Sequence, residues 1–301
     1  MPTDSIRAGA VPTEDGAQNL DDTFAGLDAL ELAEAAGETR RRRLWRSTWP
    51  KVAAVAIGLF LWQAVVWSGW KPTYALASPG ETLRDLWDLL LDGTIAEAMA
   101  ITLRRAAIGF TLATVIGVVV GSVVARVKPV RTAVGSLITG VQTMPSIAWF
   151  PLAILLFKLS EQAILFVVVL GAAPAIANGL IAGADHIPPI LLRAGRVLGA
   201  RGLQAYRHII LPASLPSFVG GLKQGWAFAW RSLMAGELIV VIPNEPSIGF
   251  LLQINRELAD SSGLIATMIV ILAIGIAVDA LVFGTLDRAI RRRWGLIEAG
   301  H

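Results

Sequence analysis

The chain has 301 residues, of which 54% are hydrophobic and only 16% are charged, and its mean hydropathy is +0.61. This composition is typical of an integral membrane protein and excludes an ordinary soluble domain. The lack of cysteine and the low histidine count exclude disulfides, cysteine nucleophiles and thiolate metal sites, and no metal site is expected. The formal net charge of +3 is small and the basic residues cluster at helix ends, a pattern that indicates membrane orientation rather than nucleic-acid binding.

Residues 1–49 are predicted to form a cytoplasmic, mostly disordered acidic tail that ends in a basic cluster. Residues 1–39 are rich in Asp, Glu, Ala, Gly and Thr, and they have too few large apolar side chains to order themselves. Met1 is not followed by a basic start and a short apolar core, so no cleaved signal peptide is expected. The basic residues at 40–51 directly precede an apolar run, which predicts a cytoplasmic amino terminus. The role of the tail stays open.

Residues 50–295 are predicted to form an all-α membrane domain with six transmembrane helices and both termini in the cytoplasm. The apolar runs of membrane length lie at about 52–68, 102–125, 133–157, 163–184, 217–241 and 263–286. Lys and Arg are concentrated at the proposed cytoplasmic ends of these runs, which supports this orientation. Residues 296–301 then form a cytoplasmic carboxyl-terminal tail.

Three local features refine this topology. A short amphipathic helix at 82–91 is expected to lie on the outer membrane surface. Pro145 removes a backbone donor in the middle of the third run and should kink or break it. Arg104 and Arg105 lie at the outer entry of the second run and fit the charge pattern least well, so we expect their side chains to snorkel to the interface.

A polar loop at 185–216 separates the fourth and fifth runs. It carries arginines on a background of Ala, Leu and Gly, so it cannot lie in hydrocarbon and must sit on one face of the membrane. Apolar residues recur at helical intervals between glycines, which predicts two short helical pieces bent at glycine. Pro212 and Pro216 are expected to end the loop before the next run. Such a surface suits a docking partner, although an ordinary basic cytoplasmic loop is the alternative.

The spacing within this loop resembles a known motif, E-A-A followed after three residues by G and after nine more by I-x-L-P. Here the positions are occupied by Arg193, Ala194, Gly195, Gly199, Ile209, Leu211 and Pro212. The motif belongs to permease subunits of ATP-binding-cassette importers. Arg193 stands in place of the usual Glu, and Gly195 stands in place of the second Ala. The contact that Arg193 makes with a partner is therefore left open. The stretch 142–157, QTMPSIAWFPLAILLF, resembles the corresponding region of nitrate, sulfonate and taurine importer permeases.

The resemblance implies a type I ABC importer permease fold with a cytoplasmic coupling helix that docks on an ATPase. The implied ATPase-coupling residues are Arg193, Ala194, Gly195, Arg196, Gly199, Ala200, Arg201, Ile209, Leu211 and Pro212. It also implies a second copy of the chain as a homodimer, two cytoplasmic ABC ATPase subunits that bind ATP and Mg, an extracytoplasmic solute-binding protein, and a bacterial inner membrane. The preferred solute is an aliphatic sulfonate or taurine, with nitrate, bicarbonate or a vitamin precursor as alternatives.

The residues themselves give no indication of catalysis. No G-x-x-x-x-G-K-S/T loop, H-E-x-x-H or G-x-S-x-G motif is present, so the chain is expected to hold no nucleotide or other cofactor and to have no catalytic residues. Any ATP hydrolysis must come from another subunit. A secondary transporter is the less favoured reading, because no clear repeat relates the two halves. A membrane scaffold would not need the loop motif.

Four charged residues lie inside the apolar runs, Lys223, Arg231, Glu237 and Asp279. Each costs roughly 2.5 to 3.5 kcal/mol in lipid, so each should face the bundle interior, a water-filled cavity or another charge. Structural pairing is one interpretation, and an anion path with Lys223 and Arg231 as its cations is the other.

The aromatic residues near these charges also allow two interpretations. They can pack between helices, or they can line the path of the solute. The candidate translocation-path residues are Lys223, Trp226, Trp230, Arg231, Met234 and Glu237. Gly109, Gly117 and Gly121 in the second run are interpreted as packing positions that let two helices approach closely.

Overall fold

The computed structural model describes residues 40–293, and this part of the chain is helical without any strand. The tail at 1–39 and residues 294–301 lie outside the described residues, so the predictions made for them stay predictions. The contacts between residues divide the chain into two units, Met1–Ser68 and Gly69–His301. In the first unit, helix α1 (Arg40–Trp67) contains a stretch from Thr48 to Trp67 that is long and apolar enough to cross a membrane.

The second unit holds the remaining helices. They are α2 (Pro79–Leu91), α3 (Thr94–Arg126), α4 (Lys128–Thr143), a 3-10 turn (Ser146–Trp149), α5 (Phe150–Phe157), α6 (Glu161–Asp185), α7 (Pro189–Val197), α8 (Leu203–Ala205), a π turn (Tyr206–Ile210), α9 (Leu211–Ile239), α10 (Ile248–Glu257), α11 (Ser261–Val278), a second π turn (Asp279–Phe283) and α12 (Gly284–Arg293). The second π turn joins α11 to α12, and Ser261–Ile290 counts as one apolar span.

Length and composition give four described helices that can cross a membrane, or five if the bent pair α4 and α5 is one span. Six spans were predicted, and α9 is the sixth candidate. It has 29 residues and a length of about 43 Å at 1.5 Å per residue. Its polar residues, among them Lys223, Arg231 and Glu237, lower its hydropathy, which explains why composition alone does not single it out.

The predicted break at Pro145 is confirmed. Helix α4 ends at Thr143, and the segment after Pro145 turns by 102° before it continues as the 3-10 turn and α5. The proline ring has no N–H to offer to the preceding turn, so the ladder of α4 cannot continue through it.

The prediction that both prolines end the polar loop is wrong for Pro216. Helix α9 already begins at Leu211, with Pro212 in its first turn and Pro216 inside the helix. Proline is tolerated in a first turn because those N–H groups have no intrahelical acceptor. The segment between the fifth and sixth predicted runs also contains a helix, α10, which the sequence analysis did not predict.

Helix α2 confirms the predicted short amphipathic helix and starts three residues earlier than expected. Its start is fixed by a capping box, in which Ser78 Oγ accepts from the Glu81 N–H and the Glu81 carboxylate accepts from the Ser78 N–H at 2.9 Å.

Helix α6 lies at the centre of the bundle and packs against α3 on one side and α9 on the other. The α3 contact uses the predicted small residues, since a Cβ on Gly117 would lie 2.8 Å from the Ala173 carbonyl oxygen. In the α9 contact, a Cβ on Gly221 would lie 2.7 Å from the Cα of Gly179. Backbone therefore meets backbone on both sides of α6, as in membrane helix pairs that associate through small residues.

We expect Gly221→Ala to destabilise the bundle, because its new methyl group would meet the backbone of Gly179 and could be accommodated only by separating α6 from α9. Overpacking of this kind costs about 1 to 3 kcal/mol. Thermal unfolding of the detergent-solubilised chain measures the effect.

The matched control is Gly220→Ala, at the neighbouring position, where a Cβ has no atom within 4 Å. It should leave the melting temperature unchanged or raise it slightly, because alanine favours helix more than glycine does. Equal melting temperatures for the two variants would show that the α6–α9 contact is not tight.

Candidate functional site

The polar loop forms a bent helical hairpin, as the glycine spacing predicts. Helix α7 ends at Val197, and Gly199 follows with φ of 82°, in the left-handed region that favours glycine. The Gly199 N–H donates to the Arg196 carbonyl oxygen at 3.1 Å, and the Ala200 N–H donates to that of Gly195 at 2.9 Å. The chain then passes through α8 and the first π turn directly into α9.

The two ends of the loop motif are packed together. The Ile209 side chain occupies the space that a Cβ on Gly195 would take, and Gly195 is buried. This contact explains why a very small residue suits the third motif position. Because Ile209 belongs to the π turn that leads into α9, helix α7 is attached to the base of α9.

The tip of the loop exposes two apolar side chains that the sequence analysis did not select. Val197 is 87% exposed and Leu198 is 85% exposed, the highest values among the large hydrophobic side chains of the described residues. Arg193, Arg196 and Arg201 are exposed around them. The sequence feature that could have identified them is a pair of adjacent apolar residues at the end of a short helix in a basic loop.

The aromatic candidates of α9 are packed inside the bundle. Trp226 and Trp230 stack with their ring centroids 6.0 Å apart, and Phe110 meets Trp226 edge to face at 5.4 Å. Met234 is buried in the same core. These contacts favour the packing interpretation for the three candidates.

Two of the four charges inside the apolar runs form an ion pair. Lys223 Nζ lies 3.0 Å from Asp279 Oδ1, and both side chains are about half exposed. The pair joins α9 to the second π turn, so Lys223 has a structural partner.

Glu237 is almost completely buried and accepts hydrogen bonds from three groups. Thr102 Oγ1 donates to it at 2.9 Å, Arg105 Nη1 at 3.2 Å and the Gly249 N–H at 3.1 Å. Thr102 Oγ1 also accepts from the Ile248 N–H at 3.0 Å. The carboxylate thus joins α3, α9 and the start of α10.

Arg105 supplies the positive charge of this network, and the expectation that it snorkels is wrong. Its side chain is 1% exposed, with Nη2 2.5 Å from Glu245 and Nε 3.6 Å from Glu161. Arg104 is 51% exposed and lies 3.3 Å from Glu161 and 3.4 Å from Glu245. The acidic partners on neighbouring helices and loops make it unnecessary for Arg105 to reach water.

The sequence analysis missed this network, which consists of Thr102, Arg105, Glu161, Glu237 and Glu245. The signal was present as an arginine pair at the outer end of one span and a carboxylate inside another. Only the topology shows that the two come together.

Arg231 lies at a cavity of about 270 Å³. The break between α4 and α5 forms most of the wall, and Gly171 and Phe228 complete it. The Arg231 Nε donates to the Ala227 carbonyl oxygen at 3.0 Å, and its guanidinium carbon lies 5.1 Å from the centre of the Phe228 ring. Within residues 40–293, no group of three His, Asp or Glu side chains could hold a metal ion.

Comparison with known proteins gives one family over most of the membrane part. The profile of the family described as binding-protein-dependent transport system inner membrane component matches residues 113–293. The taurine transport system permease protein of Escherichia coli is 28% identical over 268 residues, which cover 84% of this chain and 93% of that protein. The nitrate import permease protein of Leptolyngbya laminosa is 26% identical over 86% of this chain and 92% of its own length.

The fold is also similar to solved transporter structures. An inward-facing structure of the MetNI methionine ABC transporter matches with a TM-score of 0.56 and 18% identity, over 65% of this chain and 96% of that one. An amino acid ABC transporter matches with a TM-score of 0.54 over 69% of this chain and 97% of that one. The described bundle therefore has the type I ABC importer permease fold.

We expect Arg105→Met to destabilise the chain strongly, because Glu237 would be left buried without its cation. Breaking a buried pair in this way costs about 3 to 5 kcal/mol. The double variant Arg105→Met with Glu237→Gln should recover part of the loss, since both charges are then removed. Thermal unfolding in detergent of the wild type, the single variant and the double variant measures these effects.

Arg104→Met is the matched control. It removes the neighbouring cation, whose side chain is half exposed, and should cost less than about 1 kcal/mol. A loss as large as that of Arg105→Met, or a double variant no more stable than the single one, would contradict the buried-pair interpretation.

Proposed function

Because the chain belongs to the family of binding-protein-dependent transport system inner membrane components, we propose that it is the pore-forming subunit of an ATP-driven importer for a small anion. The relatives named for taurine, nitrate and aliphatic sulfonates transport small solutes that carry a sulfonate or nitrate group. An aliphatic sulfonate or taurine is the preferred solute, and nitrate is the main alternative.

The observation that carries this proposal is the polar loop with its exposed tip. Val197 and Leu198 lie outside any packed core, and burying such side chains in a groove of a partner is favourable by about 1.5 to 3 kcal/mol each. The arginines around them suit an acidic rim on that partner. An ATPase subunit that binds the tip would act on α9 through the contact between Gly195 and Ile209.

The proposed assembly has two copies of this chain, two cytoplasmic ATPase subunits and an extracytoplasmic solute-binding protein. Both termini and the loop would face the cytoplasm of a bacterial cell, with the network around Glu237 at the outer side. Closure of the ATPases would move the loops and switch the bundle between inward-open and outward-open states. A secondary transporter would need neither the ATPase nor the exposed tip.

We expect Val197→Asp combined with Leu198→Asp to abolish copurification with the ATPase subunit and solute-stimulated ATP hydrolysis. The melting temperature of the isolated chain should stay unchanged, because both side chains are already in solvent. Pull-down of the coexpressed ATPase and an ATPase assay in proteoliposomes measure the two effects.

Leu258→Asp is the control, because Leu258 is 74% exposed but follows α10 rather than the polar loop. It should leave ATPase binding intact. Full-rate solute uptake by the chain without any ATPase would instead identify a secondary transporter.

We also expect taurine or an aliphatic sulfonate to stimulate ATP hydrolysis more than nitrate does when the solute-binding protein is supplied. The expected order follows from the relatives that are named for taurine and aliphatic sulfonates. Measuring the rate with each solute in turn decides the solute class, and stronger stimulation by nitrate would reverse the preference.

A further inference from the structure

We propose that the cavity at the break between α4 and α5 is a binding subsite for a small monovalent oxoanion, with Arg231 as its cationic ligand. The inference rests on the proposed transport function and assigns a place to the solute within it. It also separates Arg231 from Lys223, which the sequence alone treats as equivalent cations of one helix.

The guanidinium of Arg231 is available for a ligand. Its Nε is bonded to the Ala227 carbonyl oxygen and one face covers the Phe228 ring, so the side chain is held in place. No carboxylate within the described residues forms an ion pair with it, and its two terminal nitrogens carry four N–H groups that can donate to a ligand. An exposed, unpaired arginine inside a membrane bundle indicates a water-filled path rather than lipid.

The broken span adds neutral donors around the same cavity. Ser146 and Ile147 begin the segment after Pro145, and the first N–H groups of a helical segment have no acceptor within it. The Gln142 side-chain oxygen accepts from Asn178 at 2.7 Å, which leaves the Gln142 amide NH₂ as a donor.

A buried hydroxyl without a hydrogen-bond partner lies next to Gly171, one of the residues at the wall of the cavity. Ser232 is 1% exposed, and its Oγ has no hydrogen-bond partner in the described part of the chain. A Cβ placed on Gly171 would lie 2.6 Å from this oxygen, and Gly171 lines the cavity. An unsatisfied hydroxyl beside the wall is costly in an empty site and can be satisfied by a water or ligand that enters it.

The size and charge of the cavity define the ligand class. Its volume of about 270 Å³ equals roughly nine water molecules at about 30 Å³ each, which suits a sulfonate or nitrate with part of its hydration shell. Among the residues that the structure describes, Arg231 is the only charged one that lines it. A monoanion is therefore neutralised by bidentate contact with the guanidinium, whereas a dianion would keep one charge that the neutral walls do not compensate.

The test uses the purified full-length chain in phosphatidylcholine nanodiscs, with methanesulfonate as the probe in saturation-transfer NMR. The methyl protons should receive saturation from the wild-type chain and not from empty nanodiscs. Arg231→Gln should weaken binding about tenfold or more, because charge-assisted hydrogen bonds are lost. Nitrate should displace the probe, and sulfate at the same concentration should not.

Lys223→Gln is the matched control, since it removes a cation from the same helix that is paired with Asp279 and does not line the cavity. It should bind methanesulfonate as the wild type does. The proposal is overturned if the wild type does not bind the probe, if Arg231→Gln binds equally well, if Lys223→Gln loses binding to the same extent, or if sulfate competes as well as nitrate.

ATPase copurification of the same proteins separates this inference from the proposed function. A wild-type chain that copurifies with the ATPase but does not bind methanesulfonate refutes the subsite and leaves the importer in place. A chain that binds methanesulfonate through Arg231 but has no ATPase partner supports the subsite and refutes the importer.

Discussion

The structure depends on the approach of α3 and α9 to the backbone of α6. In a bilayer the hydrophobic effect gives no preference for helix contacts over lipid contacts, so close packing and polar contacts must hold the bundle together. Glycine at 117, 179 and 221 removes the side chains that would keep these backbones apart. Because α6 is fixed on both sides, the polar groups of α3 and α9 reach one another at one end of the bundle, and Arg105 meets Glu237 there.

The charges of the bundle then fall into three environments that have different consequences. The pair of Arg105 and Glu237 is buried, and the Glu237 carboxylate accepts hydrogen bonds from α3 and α10, which suits a fixed joint. The pair of Lys223 and Asp279 is half exposed and joins α9 to the second π turn. Arg231 has no acidic partner among the described residues and faces a cavity. Only the last environment leaves a charge free for a solute.

The sequence predicts most of the membrane helices, because a run of apolar residues is a local signal. It also predicts the break at Pro145 and the bend at Gly199. Both effects are local, because proline lacks a backbone N–H and glycine readily adopts a left-handed conformation, and each changes the helix within one turn. The burial of Arg105 could not be predicted, because it depends on Glu237 and Glu245, which are more than a hundred positions away. The prediction for Pro216 is wrong because the effect of a proline on a helix depends on its distance from the helix start, and the start at Leu211 was not predicted.

Helix α9 connects the polar features that matter for the proposed function. Its base continues from the π turn that holds Ile209 against Gly195, its middle carries Arg231, and its far end carries Glu237. Pro216 lies between Ile209 and Arg231 and removes one backbone hydrogen bond, so a displacement at Ile209 would reach Arg231 through a helix that can bend at this point. The contact with α6 at 179 and 221 is between backbones, and small sliding of packed helices past one another is a common form of conformational change. The switch of the proposed importer would require such a shear of α9 along α6.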